Sequence, residues 1–451
     1  MEHVDLIVIG AGQGGVPLAV AHAKAGERVV LFERGRLGGS CVNYGCTPSK
    51  AFLASAHSAG RARLAKPLGI DVAVTVDQRA VMTRVRKIRD EWHDGVEAKV
   101  AKSGIELVRA SAAFTAERTV AGGGHEFVGT TVVIDTGTSP VLPPMNGLSD
   151  VPYLTNVTWF EQETLPARLL VIGGGYIGLE LGQGAQRLGC AVTIVHGADR
   201  IMDREEHDAS AAVAKGLADD GVTFVLGAQA TAVSHRNGIF SLTLASGATL
   251  EAEGLLVATG RKPNTNDLEP HRSNIDCGKG GFIEVDAHLQ TTCAGVYAIG
   301  DVARQPAFTH VAWEDYRRLE STLAGKPRTR DDRVLSYSTF TEPQLARTGL
   351  TLDEARKKGI SARAETLALE DVARGAEWNL ENGFMRLVVD DATAKVIGAT
   401  FVGYEMGELV HAMGLAIELG ATWHDIDRFV GIHPTFGEGM PSLARQFAPD
   451  A

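Results

Sequence analysis

Two stretches of this chain carry the same pattern. Residues 4–33 read VDLIVIGAGQGGVPLAVAHAKAGERVVLFE, and residues 168–196 read RLLVIGGGYIGLELGQGAQRLGCAVTIVH. Each opens on an apolar run of strand length and passes through G-x-G-x-x-G. Each continues with apolar residues at helical period, meets a glycine (Gly26, Gly189), and returns to a β-rich run. A lone glycine-rich turn says little. Two copies with the same strand context and spacing define a repeated β-α-β unit.

The expected fold class is therefore α/β, with two Rossmann-like dinucleotide-binding domains. Gly10 and Gly173 permit the tight turn, Gly12 and Gly175 let backbone approach a pyrophosphate, and Gly15 and Gly178 let helix pack on strand. The helix dipole and its free N–H groups hold the anion. Pro17 falls in the first helical turn, where its missing N–H costs little. The second strand ends at Glu33 in one copy and at His196 in the other. Glu33 suits the hydroxyls of an adenosine ribose. His196 is not an acid, which weakens the case for NADH; with Arg200 it could face the 2′-phosphate of NADPH. The alternative is that His196 and Arg200 are solvated loop residues. The reading leans slightly to NADPH.

At 451 residues the chain has room for roughly three domains, at about 150 residues each. A formal charge of −11 argues against nucleic acid and against an anionic membrane surface. The start, Met1-Glu2-His3-Val4-Asp5, lacks the basic flank and apolar region of a signal peptide, and no run suits a membrane span. A cytoplasmic protein is expected. Its five cysteines are too few for a disulfide scaffold, and no metal site is expected. Cys190, Cys277 and Cys293 have no motif and read as structural thiols. Cys41 and Cys46 are different. Within Gly38-Gly39-Ser40-Cys41-Val42-Asn43-Tyr44-Gly45-Cys46-Thr47-Pro48-Ser49-Lys50 their spacing permits a disulfide across a distorted helical turn. A helix is predicted to run on from Pro48, and a cysteine near a helix start and a cation has a lowered pKa.

The segment GGSCVNYGCTPSK resembles the active-site segment of the class I pyridine nucleotide-disulfide oxidoreductases, in the branch of dihydrolipoamide dehydrogenase, glutathione reductase and mercuric reductase. The resemblance extends over essentially the whole chain. It implies FAD in the first unit and NAD(P)H in the second. It also implies that Cys46 lies against the flavin as a charge-transfer thiolate, that Cys41 is the exposed thiol exchanging with substrate, and that Lys50, beside the flavin, pairs with Glu180. TTCAGVYAIGD (291–301) resembles the family's second FAD motif, with Asp301 on the ribityl chain. VVIDTGTSP (132–140, with Thr136 and Gly137) and LLVATGRKPN (255–264, with Gly260) resemble its two interdomain crossings. GIHPTFGE (431–438) resembles the His-Pro-Thr…Glu element, in which His433, oriented by Glu438, reaches the partner subunit's interchange thiol in a homodimer.

The expected organisation is an FAD domain over 1–148 and 268–328, an NAD(P) domain over 149–267, and an α+β dimerisation domain over 329–451. AGGGHEFVGT (121–130) reads as a hairpin, ENGFMRLVVDDATAKVIGATFVG as paired strands, and GELVHAMGLAIELG as an amphipathic helix. The expected activity passes electrons from NAD(P)H through FAD to the Cys41–Cys46 pair and on to a small disulfide or dithiol substrate. Two alternatives stay open. FTHVAWEDYRRLE (308–320) resembles mercury- and copper-reductase-like relatives, so the pair could serve a soft metal ion. The residues given end in SLARQFAPDA without a C-terminal cysteine pair, and begin without a Cys-x-x-Cys domain, so ordinary mercury detoxification is not expected. The other alternative is a flavin-bound redox sensor or complex subunit.

Overall fold

The structure, a computed structural model, describes residues 2–448. Its first sheet is built on the first repeat. Strand Glu2–Ile9 lies between Val29–Phe32 and His125–Ile134, all parallel, with Glu106–Val108 and Val296–Ala298 extending either side. Thr119–Gly122 and Ala113–Ala116 add an antiparallel meander whose turn is the positive-φ pair Gly123-Gly124. The central strands are apolar throughout because helices cover them; Leu6, Ile7 and Val8 are fully buried.

The second repeat builds a second parallel sheet in the order Thr223–Val225, Ala191–Val195, Arg168–Ile172, Gly254–Val257. The two units superimpose in register. Leu6 pairs with Val29 and Leu169 with Val192, at the same sequence separation. The Gly10 N–H donates to the Phe32 carbonyl (2.8 Å) as that of Gly173 does to Val195 (2.9 Å). Gly10 (φ +103°) and Gly173 (φ +117°) both need left-handed backbone, and a Cβ on either would overlap the carbonyl of the neighbouring strand end, Asp135 or Ala258. The two chain crossings meet each other, Thr138–Pro140 pairing antiparallel with Arg261–Pro263.

Residues from 336 onward form a five-stranded antiparallel sheet, with Phe384–Asp390 and Val396–Gly403 paired at its centre and helices Met406–Glu418 and Gly439–Arg445 packed on it. Among the described residues no helix is long and apolar enough to cross a membrane.

A buried charge cluster ties the three sheets together. Arg187, 3% exposed, donates to Asp220 at 2.7 Å and to Glu342 of the third sheet, while Glu342 also meets Arg61 and His57 of the Cys46–Arg63 helix. A buried pair that loses one partner leaves an unpaired charge, at a cost of about 3–5 kcal/mol. Arg187→Ala is therefore expected to destabilise the protein by about that amount in denaturant titration. A loss below about 1 kcal/mol would show that the cluster is solvated rather than structural.

Candidate active site

The two glycine turns open onto one cleft of about 2860 Å³, lined from both nucleotide units and from the third sheet. The redox segment lies on its wall. Gly39–Tyr44 forms a short helix, Gly45 breaks it with non-helical backbone (φ −130°, ψ −118°), and Cys46 then starts the helix Cys46–Arg63. This is the distorted turn expected from the spacing. Both thiols are free; Cys46 is exposed to the cleft and Cys41 half-buried. Both thiols line the cleft, Cys46 on the wall it shares with Gly12 and Asp301.

The pair is electrostatically asymmetric. Its hydrogen bond with Cys41 does most to lower the Cys46 pKa, to about 6; burial opposes the shift, while the Thr309 hydroxyl (3.1 Å from Sγ) and Lys50 add to it. The same hydrogen bond, with burial, pushes the Cys41 thiol strongly upward. At neutral pH the reduced site holds a Cys46 thiolate and a Cys41 thiol. Thr309 belongs to FTHVAWEDYRRLE, and nothing in that sequence pattern points to Cys46. Removing its hydroxyl in Thr309→Val should raise the Cys46 midpoint by about one pH unit. The midpoint is read from the pH dependence of iodoacetamide alkylation of the reduced protein. In the wild type, reactivity is present above pH 6 and lost as pH falls through it; an unmoved midpoint in the variant would remove Thr309 from the site.

Lys50 Nζ donates to Glu180 Oε2 at 2.7 Å, and Glu180 Oε1 accepts the Phe340 N–H at 3.0 Å. Lys50 also stands 4.3 Å from the centre of the Phe340 ring. The expected Lys–Glu pair is therefore formed, and Glu180, 8% exposed, is a buried partner rather than a surface charge.

The cleft around the first turn fits a dinucleotide. Glu33 Oε2 accepts the Ala11 N–H (2.8 Å) and Oε1 that of Gly35 (2.7 Å), which holds its carboxylate at the rim. Gly39 packs on Gly12, where a Cβ would stand 3.0 Å from the Gly12 Cα. Thr136 lines the cleft with a buried hydroxyl that has no partner, and space is open around Gly137. Asp301 accepts from the Thr138 hydroxyl at 2.7 Å and lies 3.7 Å from Arg261, whose guanidinium also approaches Ser40 Oγ (3.4 Å). Arg261 lies within LLVATGRKPN, whose sequence gives no sign of these contacts.

At the second turn, space is open above Gly175 and around Gly260. His196 Nδ1 accepts the Gly174 N–H at 3.2 Å, the counterpart of the Glu33–Ala11 contact, so the proton of the neutral ring is on Nε2. Arg200 is not brought to the cleft: it donates to the carbonyls of Asp203 (2.6 Å) and Glu205 (3.5 Å) within its own loop. A further group was invisible in sequence: buried Glu205 accepts from Tyr176 (2.5 Å), Tyr337 (2.9 Å) and Arg347 (3.2 Å), joining the second unit to the third sheet.

His433 and Glu438 form the expected dyad, Nδ1 to Oε2 at 2.7 Å, with His433 73% exposed. It does not line its own protomer's cleft. Around it Phe429, Val430 and Ile432 are exposed, and Leu415 and Leu419 are exposed on helix Met406–Glu418 and just beyond its end.

A model of the pyridine nucleotide-disulphide oxidoreductases matches residues 4–315, and a model of their dimerisation domain matches residues 335–444. The chain belongs to the pyridine nucleotide-disulphide oxidoreductases. A mercuric reductase of Lysinibacillus sphaericus is 32% identical over 100% of this chain and 83% of its own length. A dihydrolipoyl dehydrogenase of Thermus scotoductus is 33% identical over 98% of this chain and 97% of its own. The HOCl-induced flavoprotein disulfide reductase RclA of Escherichia coli is similar in structure, with a TM-score of 0.89, 28% identity, and coverage of 98% and 100% of the two chains. A Cu(II) complex of RclA superimposes with a TM-score of 0.90 and 28% identity, over 99% of this chain and 100% of that one. This member of the family is thus an NAD(P)H-dependent flavoprotein disulfide oxidoreductase, and its dimerisation domain implies a homodimer.

Proposed function

We propose that the protein reduces a small disulfide at Cys41–Cys46, with NADPH as the preferred donor and with each site completed by the partner subunit. The observation that carries the reading is the placement of both thiols in one cleft, with Cys46 Sγ 3.1 Å from the Thr309 hydroxyl and next to the Lys50–Glu180 pair. FAD, which Glu33, the glycine turn at 10–15 and Asp301 would hold, would supply the two-electron relay between nicotinamide and the cysteine disulfide. The protein's own groups do the rest. Cys41, whose pKa is raised, needs a base to become nucleophilic, and His433 of the partner subunit, held by its Glu438, is the group suited to take that proton. Cys41 Sγ then attacks one sulfur of the substrate disulfide, forming a mixed disulfide and expelling the first thiolate, which takes the proton from the imidazolium. The Cys46 thiolate attacks Cys41 Sγ, re-forming the Cys41–Cys46 disulfide and expelling the second thiolate, which takes its proton from solvent water. Lys50, neutralised by Glu180, keeps a cation beside the thiolate without a net charge on the wall.

The donor preference rests on His196. Where the first unit presents the Glu33 carboxylate, the second presents an imidazole whose Nδ1 is committed to Gly174 and whose buried Nε2 lies 3.9 Å from Asp203. The exchange removes the strand-end carboxylate that would repel a 2′-phosphate. A second reading, reduction of a soft metal ion at the same thiols, is supported by the similarity to a mercuric reductase and to the Cu(II) complex of RclA; among the described residues no cluster of three or more His, Cys, Asp or Glu adds to it.

Anaerobic titration with NADPH and with NADH, recorded in the visible, tests these points. NADPH should raise a long-wavelength thiolate-to-flavin band at lower concentration than NADH, and His196→Glu should reverse the order by about tenfold or more. Equal titration by both nucleotides would remove the preference. Turnover of NADPH with Hg or Cu ions but with no disulfide would favour the metal reading.

A further inference from the structure

The two repeats differ at one position beneath their glycine turns. The Asp135 N–H donates to the Ile9 carbonyl (2.7 Å) as the Ala258 N–H does to that of Ile172 (2.8 Å). Each residue follows the strand that lies beside its turn, and each would be struck by a Cβ on the first glycine of that turn. The positions are equivalent. One carries a carboxyl where the other carries a methyl.

That carboxyl is turned under the turn that takes the flavin nucleotide. Asp135 is 7% exposed, and its Oδ2 accepts the N–H of Gly15, the first residue of the helix Gly15–Lys24, at 2.7 Å. The N–H of Gly14 faces it as well, and a Cβ on Gly12 would stand 2.5 Å from Oδ2. The charged groups around it are carboxylates: Asp301, on the turn after Val296–Ala298, and Asp315, on the helix Thr309–Leu323. The cations nearby are committed elsewhere. Arg261 lies 3.7 Å from Asp301, and Arg333 pairs with Asp315. Burial, reinforced by the two carboxylates, pushes the Asp135 pKa up to about 8, against the pull of the two N–H groups.

We propose that Asp135 serves the flavin site as a neutral, protonated acid, so that FAD is held at neutral pH and released as this carboxyl ionises. The inference rests on FAD occupying the first nucleotide unit. A carboxylate beneath the turn would repel a dianionic pyrophosphate and offset the positive helix N-terminus that the anion needs, whereas a carboxylic acid is neutral. The bound anion raises the acid's pKa further. With the pKa higher in the bound than in the free form, affinity is complete below about 8 and is lost as pH rises through it, by about tenfold per unit until the bound form also ionises.

The test is FAD release from the holoenzyme, followed by recovery of flavin fluorescence after dilution, in wild type and in Asp135→Asn. Asparagine keeps the shape and hydrogen bonding and cannot ionise. The equilibrium constant for release should rise about fivefold between about pH 8 and about pH 9 in the wild type and stay flat in the variant. A flat wild-type profile, or the same slope in Asp135→Asn, would overturn the proposal. Should the variant not retain flavin, infrared difference spectra of apo and holo wild type at about pH 9 decide. A protonated-carboxyl band gained on FAD binding supports the proposal, and its absence overturns it. A purified protein with no flavin at all would instead sink the assignment of the first unit.

Discussion

Cys46→Ser is expected to lower NAD(P)H-dependent disulfide reduction by about a thousandfold or more, leaving a flavin that NAD(P)H still bleaches but without the long-wavelength band. The size follows from the lack of a substitute. Cys190 and Cys293 are buried, and Cys277, though exposed, does not line the cleft. Serine is not a competent leaving group or nucleophile in thiol exchange, so both the reduction of the pair and the resolution of the mixed disulfide fail together. Cys41→Ser should lose turnover by a similar factor but show the opposite spectrum. Its Cys46 is left without a disulfide partner and keeps a thiolate against the flavin, so the band should be present before any NAD(P)H is added. Loss of its Cys41 hydrogen bond, the largest lowering influence, should move the Cys46 midpoint above 6. A Cys46→Ser protein that still turned over disulfide would show that the pair is not the route.

The second large effect belongs to His433. Its removal in His433→Ala should slow disulfide reduction by about 10²–10⁴, the usual range for a positioned general acid–base, and leave flavin bleaching by NAD(P)H intact. The sharper experiment mixes subunits. A dimer of one Cys41→Ser and one His433→Ala subunit has one doubly disabled site if the histidine serves across the interface. The other site is intact, with wild-type Cys41 from one subunit and wild-type His433 from its partner. Random re-association of two nearly inactive proteins should then restore about a quarter of wild-type activity, since about half the dimers are mixed and each has one working site. No recovery in dimers shown to be mixed would place the histidine within its own subunit's site. The geometry favours recovery, because the dyad is exposed, sits among exposed apolar side chains, and does not line its own cleft.

What could be read from the sequence was whatever is written contiguously. The glycine turns are local: their backbone requirements, spacing and flanking apolar runs fall within thirty-residue windows, and the structure repeats them in the same register. The Cys41–Cys46 segment, the helix after it, and the His433–Glu438 dyad are local as well. The Lys50–Glu180 pair became legible only through family resemblance, since nothing in either neighbourhood names the other. Asp135, Thr309 and the Tyr176–Glu205–Tyr337 group stayed unread because their meaning lies in contacts between distant segments. Thr309 matters only because the chain returns it to Cys46, and Asp135 only because a strand end is placed under Gly12. Arg200 failed for the converse reason. Its spacing after His196 was right, but the carbonyls of its own loop claimed the guanidinium first.

The short stretch 340–342 touches both halves of the molecule's electron path: the Phe340 N–H holds Glu180, its carbonyl meets His57, and Glu342 holds Arg187. These contacts set the unit of exchange for anyone recombining relatives. A graft of the third sheet cut cleanly at residue 336 would import a foreign tripeptide into the support of Lys50 and the redox helix. Chimeras that carry 340–342 together with His57, Arg61, Glu180 and Arg187 keep the joint whole, while those that split it part Glu180 and Arg187 from the groups that hold them.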